Sequence, residues 1–239
     1  MNMFPDYEAF LGMFQNKGYA IEPLVAGNLT ANGVLYLRHD IDFDVELALE
    51  MARTEARLGA RASYFLMLTS DSYNLFSARN AACVQEIKAL GHKVSIHFDP
   101  LRYEDFETGL GQEITAFEAF FKSEVDLISL HRPNDFFLSH DEAISSVAHT
   151  YQSKYLKGIK YVADSRGSFR FGPPEDTDAF AKEASIHLLI HPIWWVMPSP
   201  GPQDTLDAFT LRRLGQFQDH IEANCLTYSR AASRISVEN

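Results

Sequence analysis

The stretch VLYLRHDIDFDVELALEMA, Val34 to Ala52, stops an apolar run on Arg38, His39, Asp40 and Asp42, then resumes a helical pattern at once. Asp40 and Asp42 stand at i and i+2, so in extended backbone their carboxylates point the same way. Two carboxylates that close resist being ionised together unless a cation lies nearby. A divalent metal bound to one removes that conflict and leaves the other free as a base. Histidines recur in similar settings: His97 in HKVSIHFD, His131 in VDLISLHRP and His191 in IHLLIHP. Mixed imidazole and carboxylate ligands suit zinc and similar ions. Such a site with an open position activates water and polarises a carbonyl.

The elements that must position these groups alternate. DYEAFLGMFQNKGY reads as a helix and VLYLR as a buried strand. DVELALEMARTEARLG is amphipathic, with Val45, Leu49, Ala52 and Ala56 on one stripe and Gly59 as its stop. Strand Ala62 to Leu68, helix SARNAACVQEIKALG, strand HKVSIHFD, a long helix in YEDFETGLGQEITAFEAFFKS and strand VDLISLHRP follow. IKYVADS and IHLLIHP read as two further strands, and about Thr205 to Glu222 as a final helix. Short-linked alternation of this kind predicts a parallel sheet, open or closed into a barrel. In such folds the carboxyl ends of the strands form the active-site face. Asp40, Asp42, His97, Asp99, His131, Asp164 and His191 all fall there.

Not every polar residue is assigned to that face. Asp44 directly precedes a helical pattern and reads as its N-cap. His92 precedes a strand and reads as a satisfied surface histidine. His140, His149 and His220 lie in loop or helix contexts and receive no site role. His187 begins a strand, which predicts a place at the opposite end of the sheet.

The chain has 239 residues, 46% of them hydrophobic, enough for a full core in one domain spanning 1–239. Lysine and arginine number 21 against 32 acids, a net charge of −11, which makes the chain a poor general binder of nucleic acid or anionic membrane. Cys83 and Cys225 show no CxxC spacing, which argues against a zinc ribbon and a disulfide scaffold. The N-terminus carries acids early and lacks a basic segment followed by an apolar one, so no secretory signal is expected. No window approaches the ~20 apolar residues of a membrane span. The expectation is a cytoplasmic protein with no membrane insertion.

The segments RHDIDFD, ASYFLML, GHKVSIHFD, SLHRP, YVADS and LLIHPIWW, in that order from about Tyr36 to Trp195, resemble the polysaccharide deacetylase superfamily. This is the NodB-homology group, or carbohydrate esterase family 4, and the likeness is greatest to the branch found in bacterial O-antigen and surface-polysaccharide biosynthesis. The resemblance implies an α/β fold, a distorted (β/α)7-type barrel with parallel strands and outer helices. It implies removal of an N- or O-linked acetyl group from a sugar with one divalent metal, zinc or another transition ion. Carried over, Asp40 is the catalytic base, Asp42 a metal ligand and His97 the first metal histidine. Arg132 braces the base, His191 is the general acid, and Asp164 positions His191.

Two positions depart from the pattern. The family's second metal histidine lies four residues after the first, and that position is Leu101. His131 is the first choice of replacement and Asp99 the second. His131 and Arg132 are consecutive, so in regular strand geometry they cannot both face the site. Ile193 stands where the branch carries a glutamate. Trp194 and Trp195, beside His191, could stack on a sugar or pack in the core. Tyr73 and Asn74, after the second strand, are further candidate substrate contacts. The substrate expected is an acetylated sugar on a nucleotide or lipid carrier. Two alternatives stand: a catalytically silent, deacetylase-like sugar binder, and another metal-dependent amide or ester hydrolase on the same barrel.

Overall fold

The computed structural model describes residues 3–133, 135–197, 199–233 and 235. Its strands are β1 (Ala20–Pro23), β2 (Val34–Ile41), β3 (Ser63–Leu66), β4 (Lys93–Phe98), β5 (Leu127–Leu130), β6 (Ala148–His149), β7 (Lys160–Ala163) and β8 (Ile186–Ile190). The helices are α1 (Tyr7–Asn16), α2 (Val45–Arg57), α3 (Ala78–Ala89), α4 (Phe106–Phe121), α5 (Asp135–Ser139), α6 (Ser153–Leu156), α7 (Asp178–Ala181), α8 (Pro192–Val196) and α9 (Pro202–Asn224). The expected alternation is present. The reading from sequence missed β1, four residues ending in proline, and β6, two residues long, because neither carries a periodic pattern.

All pairings between the strands are parallel, in the order β6-β5-β4-β3-β2-β8-β7. β1 shares one edge of β2 with β3: β1 pairs Val34–Leu37 and β3 pairs Arg38–Ile41. Among the described residues β6 and β7 do not pair, so the barrel stays open between them. The sheet is nevertheless strongly curled. Arg38 on β2 donates to the Ser129 hydroxyl on β5 at 2.8 Å, with β3 and β4 between them. A flat sheet would hold those strands about 14 Å apart.

Two-residue alternation divides the strands between two cores. Leu35, Leu37 and Ile41 of β2, Ile96 and Phe98 of β4, and Leu188 and Ile190 of β8 pack outward under the helices. Leu24, Tyr36, Phe65, Leu127 and Tyr155 form a separate inner cluster that plugs the barrel. The inward positions further along the strands are polar, and they carry the candidate chemistry.

Helix α2 begins where the sequence predicts. Asp44 accepts from the backbone N–H groups of Glu46 and Leu47 at 2.7 and 3.4 Å. Gly59 takes φ +73° just beyond the last turn. The polar contact between α2 and the sheet is less expected. His39 points outward from β2, and its Nε2 lies 2.7 Å from Oε1 of the fully buried Glu55. The hydroxyls of Tyr7 and Tyr64 donate to the same carboxylate at 2.5 and 2.7 Å. Burial would raise the Glu55 pKa, but the neighbouring histidines and the Tyr7 hydroxyl hold it below its ordinary value. His92 is buried here and not on the surface as expected. Its Nδ1 accepts from Ala62 N–H at 3.2 Å and its Nε2 donates to the Ala52 carbonyl at 2.9 Å.

Glu55 thus joins α1, α2, β2 and β3 through one buried acceptor. Glu55→Ala should strand two hydroxyls and an imidazole, at a cost of about 3 kcal/mol or more. Urea denaturation checks this, and a loss under about 1 kcal/mol would mean the network contributes little.

Candidate active site

Inward alternation along β2 places Arg38, Asp40 and Asp42 on one face. Arg38 is fully buried. Its Nε donates to Asp40 Oδ1 at 3.0 Å and its Nη2 to Oδ2 at 2.7 Å. The Ser129 hydroxyl donates to Asp40 Oδ2 at 2.8 Å while accepting from Arg38 Nη2. Burial pushes the Asp40 carboxyl up, but Arg38 first, then His97 and His191, hold it well below the usual carboxylate range.

This corrects the expectation for Arg132. The guanidinium on Asp40 comes from Arg38, two residues back on the same strand face. Arg132 makes no hydrogen bond or ion pair with any described residue and lines the groove outside. His187 stands near the start of β8, level with Tyr36 and away from the ligand end as expected. It lies inside the barrel behind Arg38, with Nε2 3.5 Å from Arg38 Nη1. Its Nδ1 donates to the Tyr155 carbonyl at 3.0 Å, because a carbonyl can only accept. Burial and the Arg38 charge lower its pKa to about 3, so it is a neutral acceptor for the guanidinium.

Three ligand atoms converge beyond Asp40. His97 Nε2 lies 3.2 Å from Asp42 Oδ1 and 3.2 Å from His131 Nδ1, and His131 Nδ1 lies 3.6 Å from Asp42 Oδ1. Ligands at 2.0–2.1 Å around a tetrahedral zinc ion are separated by about 3.3 Å. Ser129 also sets the His97 tautomer. Its single proton goes to Asp40, so at 3.0 Å it accepts from His97 Nδ1–H and leaves Nε2 as a bare lone pair. Asp42 Oδ1 is buried and has no hydrogen-bond partner among the described residues. An orphaned carboxylate oxygen beside a bare imidazole nitrogen is a donor set that fits a divalent cation.

The conflict between His131 and Arg132 is settled by backbone geometry. Leu127, Ser129 and His131 alternate inward, and then Arg132 takes φ +51°. That left-handed residue breaks the strand rule and lets both neighbours border the groove. Asp99 stands apart from the triad. Its Oδ1 accepts from Leu101 N–H at 3.1 Å, capping the short turn Pro100–Arg102. Leu101 is 65% exposed at the groove rim and does not fill the cluster.

On the other side of Asp42, the ends of β7 and β8 bring Asp164 and His191 together. His191 Nδ1 lies 2.6 Å from Asp164 Oδ1. Asp164 Oδ2 accepts from His191 N–H and Trp195 Nε1–H, each at 2.9 Å. His191 Nε2 is 3.9 Å from Asp42 Oδ2. Burial alone would lower the His191 pKa, but Asp164, with help from Asp42 and Asp40, raises it to about 9.

The candidate substrate contacts fare differently. Trp194 and Trp195 are each only 7% exposed. The Trp195 ring stacks on Phe4 with centroids 4.6 Å apart and lies 4.7 Å from Phe10, so it is core, with its N–H spent on Asp164. Trp194 packs its edge on Phe43 at 6.4 Å, and Ile193 is buried beside them. The Tyr73 hydroxyl donates to the Ile41 carbonyl and accepts from Met67 N–H, at 2.7 and 2.8 Å, which ties β2 to β3. Asn74 accepts from Phe76 N–H at 3.1 Å and borders a neighbouring groove with Glu46 and Arg79. Through Asp42 and His131 the cluster borders a groove of about 570 Å³ that Phe43, Met67, Asp99 and Arg132 also line.

Three site residues escaped the sequence reading: Arg38, Ser129 and His187. Two carried a signal. Arg38 precedes Asp40 by two residues, and Ser129 precedes His131 by two, so each shares its partner's face.

No family model matches the chain, and no curated protein matches it. Solved structures do. A CE4 family pseudoenzyme from Bacillus anthracis is 13% identical, with 81% of this chain and 64% of that chain covered and a TM-score of 0.42. A family 4 carbohydrate esterase from Streptomyces lividans in complex with acetate is 17% identical, with 78% and 88% covered and a TM-score of 0.40. The peptidoglycan deacetylase PdaC from Bacillus subtilis is 10% identical, with 84% and 98% covered and a TM-score of 0.45. The first two are described as members of carbohydrate esterase family 4. The chain spans 66% and 64% of the length of two forms of the pseudoenzyme.

The cluster makes a direct prediction. Untagged protein should bind about one divalent ion per chain, and His97→Ala and His131→Ala should each lose it. Asp99→Asn should keep it, and Ser129→Ala should weaken it about 10–100-fold. Elemental analysis and competition with a chelator read all four; retention by the His131 variant would move the third ligand elsewhere.

Proposed function

We propose that the chain is a metal-dependent hydrolase that removes an N- or O-linked acetyl group from a sugar. One observation carries the reading: a three-ligand cation site open to a groove, with a clamped carboxylate on one side and an acidic imidazole on the other. A divalent ion held by Asp42, His97 and His131, zinc by its mixed donor set, would polarise the acetyl carbonyl and acidify water there.

The protein's own groups supply the proton transfers. Asp40, oriented by Arg38 and Ser129, takes a proton from the attacking water. His191, protonated through neutral pH and oriented by Asp164, gives the proton on Nε2 to the departing sugar nitrogen or oxygen. Burial of both strengthens their action on charge that develops between them. Acetate and a free amino or hydroxyl sugar leave.

The biological setting that goes with this reading is bacterial surface-polysaccharide (O-antigen) biosynthesis, which the order of the motifs supports. The substrate is then an acetylated sugar on a nucleotide or lipid carrier, and cytoplasmic chemistry suits such carriers. A catalytically silent sugar binder would need no open cluster. The exposed Leu101 and the converging ligands favour the enzyme over it.

Acetate release from a panel of acetylated sugars tests the roles. Asp40→Asn and His191→Ala should each lower kcat about 10²–10⁴-fold with metal content kept. Asp164→Asn removes the charge that raises the His191 pKa. The alkaline limb of the kcat profile should therefore move to lower pH. An unmoved limb would show that His191 is not the group titrating there.

A further inference from the structure

We infer that Arg132 reads an oxyanion on the substrate, so that the groove takes an acetylated sugar bearing a carboxylate or a phosphate. This rests on the hydrolase reading and deepens it. The starting point is what Arg132 no longer does. Arg38 already fills both oxygens of Asp40, and the Arg132 guanidinium is left with no hydrogen bond or ion pair among the described residues. Its backbone sits at φ +51°, which brings the residue after an inward-facing histidine to the groove as well.

Every other charged group bordering the groove has a partner. Arg102 is paired with Asp71 and lies 3.9 Å from Asp99. Asp99 caps Leu101 N–H, and Asp42 belongs to the cation site. Arg132 therefore contributes a positive charge with no ion pair among the described residues, at a groove also bordered by Asp42, Asp71 and Asp99, in a chain whose net charge is −11. The groove is also poor in stacking surfaces. Phe43 is the aromatic side chain on its wall, and both tryptophans are buried in the core. A neutral sugar would find little to stack on, whereas an anionic one finds a planar five-donor fork. Guanidinium binds both carboxylate and phosphate in a bidentate manner.

The test is equilibrium binding, so that it stands apart from turnover. Titration calorimetry on metal-loaded protein would use N-acetylglucosamine, N-acetylglucosamine 1-phosphate and N-acetylmuramic acid as the neutral, phosphate and carboxylate probes. Arg132→Asn is the variant of choice, because asparagine tolerates the left-handed backbone; Arg132→Gly is the second. Wild type should bind at least one anionic probe more tightly than the neutral one. Both variants should lose that probe about tenfold or more, with metal content and neutral-probe affinity unchanged. The wild-type preference should also shrink as salt rises. The probe that loses affinity identifies the oxyanion. Equal loss for all three probes, or none for either anionic probe, overturns the inference. If the anion preference and its loss in the variants hold but no probe or acetylated sugar releases acetate, the hydrolase reading fails and the anion site stands.

Discussion

A single ion pair inside the barrel, Arg38 with Asp40, organises everything around it. Taking both charges out of water costs several kcal/mol apiece, so the pair persists only with its remaining donors and acceptors satisfied. They are satisfied from three directions. Ser129 comes from β5 and His187 from β8, while the rings of Phe65 and Tyr151 lie 5.7 and 5.8 Å from the guanidinium carbon. The Ser129 contact spans strands that a flat sheet would separate. The pair's demand for partners and the curl of the sheet are two sides of one constraint.

The same pair sets the chemistry. A carboxylate held below its usual pKa is a weak base toward ordinary water, so the base role proposed for Asp40 calls for a cation beside it. Ser129 links the two functions through one proton. By donating to Asp40 it must accept from His97, and that turns the other imidazole nitrogen toward Asp42. On the opposite flank Asp164 works in the contrary sense. It is buried, accepts from an imidazole, a backbone amide and an indole, and holds His191 protonated. The base and acid proposed here are separated by environment, although both depend on aspartates at strand ends.

Much of this was visible as pattern. Alternating strands and helices gave the parallel sheet, and seven strands lie on its continuous path with β1 added at one edge. The chemistry-bearing residues fell at strand ends, where the fold puts its site, and Asp44 was legible as a cap. The misreadings have a common cause. Arg132, Tyr73 and the two tryptophans were placed by sequence neighbourhood, and neighbours in sequence diverge wherever the chain leaves regular geometry. One left-handed residue at position 132, one short helix at 192–196 and a hydroxyl of Tyr73 turned back to Ile41 and Met67 were enough to reassign them.

The sequence by itself determined six of the eight strands, which of their faces are polar, and that carboxylates and imidazoles gather at one end of the sheet. Those features are local, set by two-residue alternation and helix caps. Only the tertiary structure decided which arginine holds Asp40, that Ser129 fixes the His97 tautomer, and that His131 and not Asp99 completes the cluster. The tautomer and the cluster turn on β2 meeting β4 and β5, strands with which it does not pair, and the curvature that sets such distances is a property of the whole sheet.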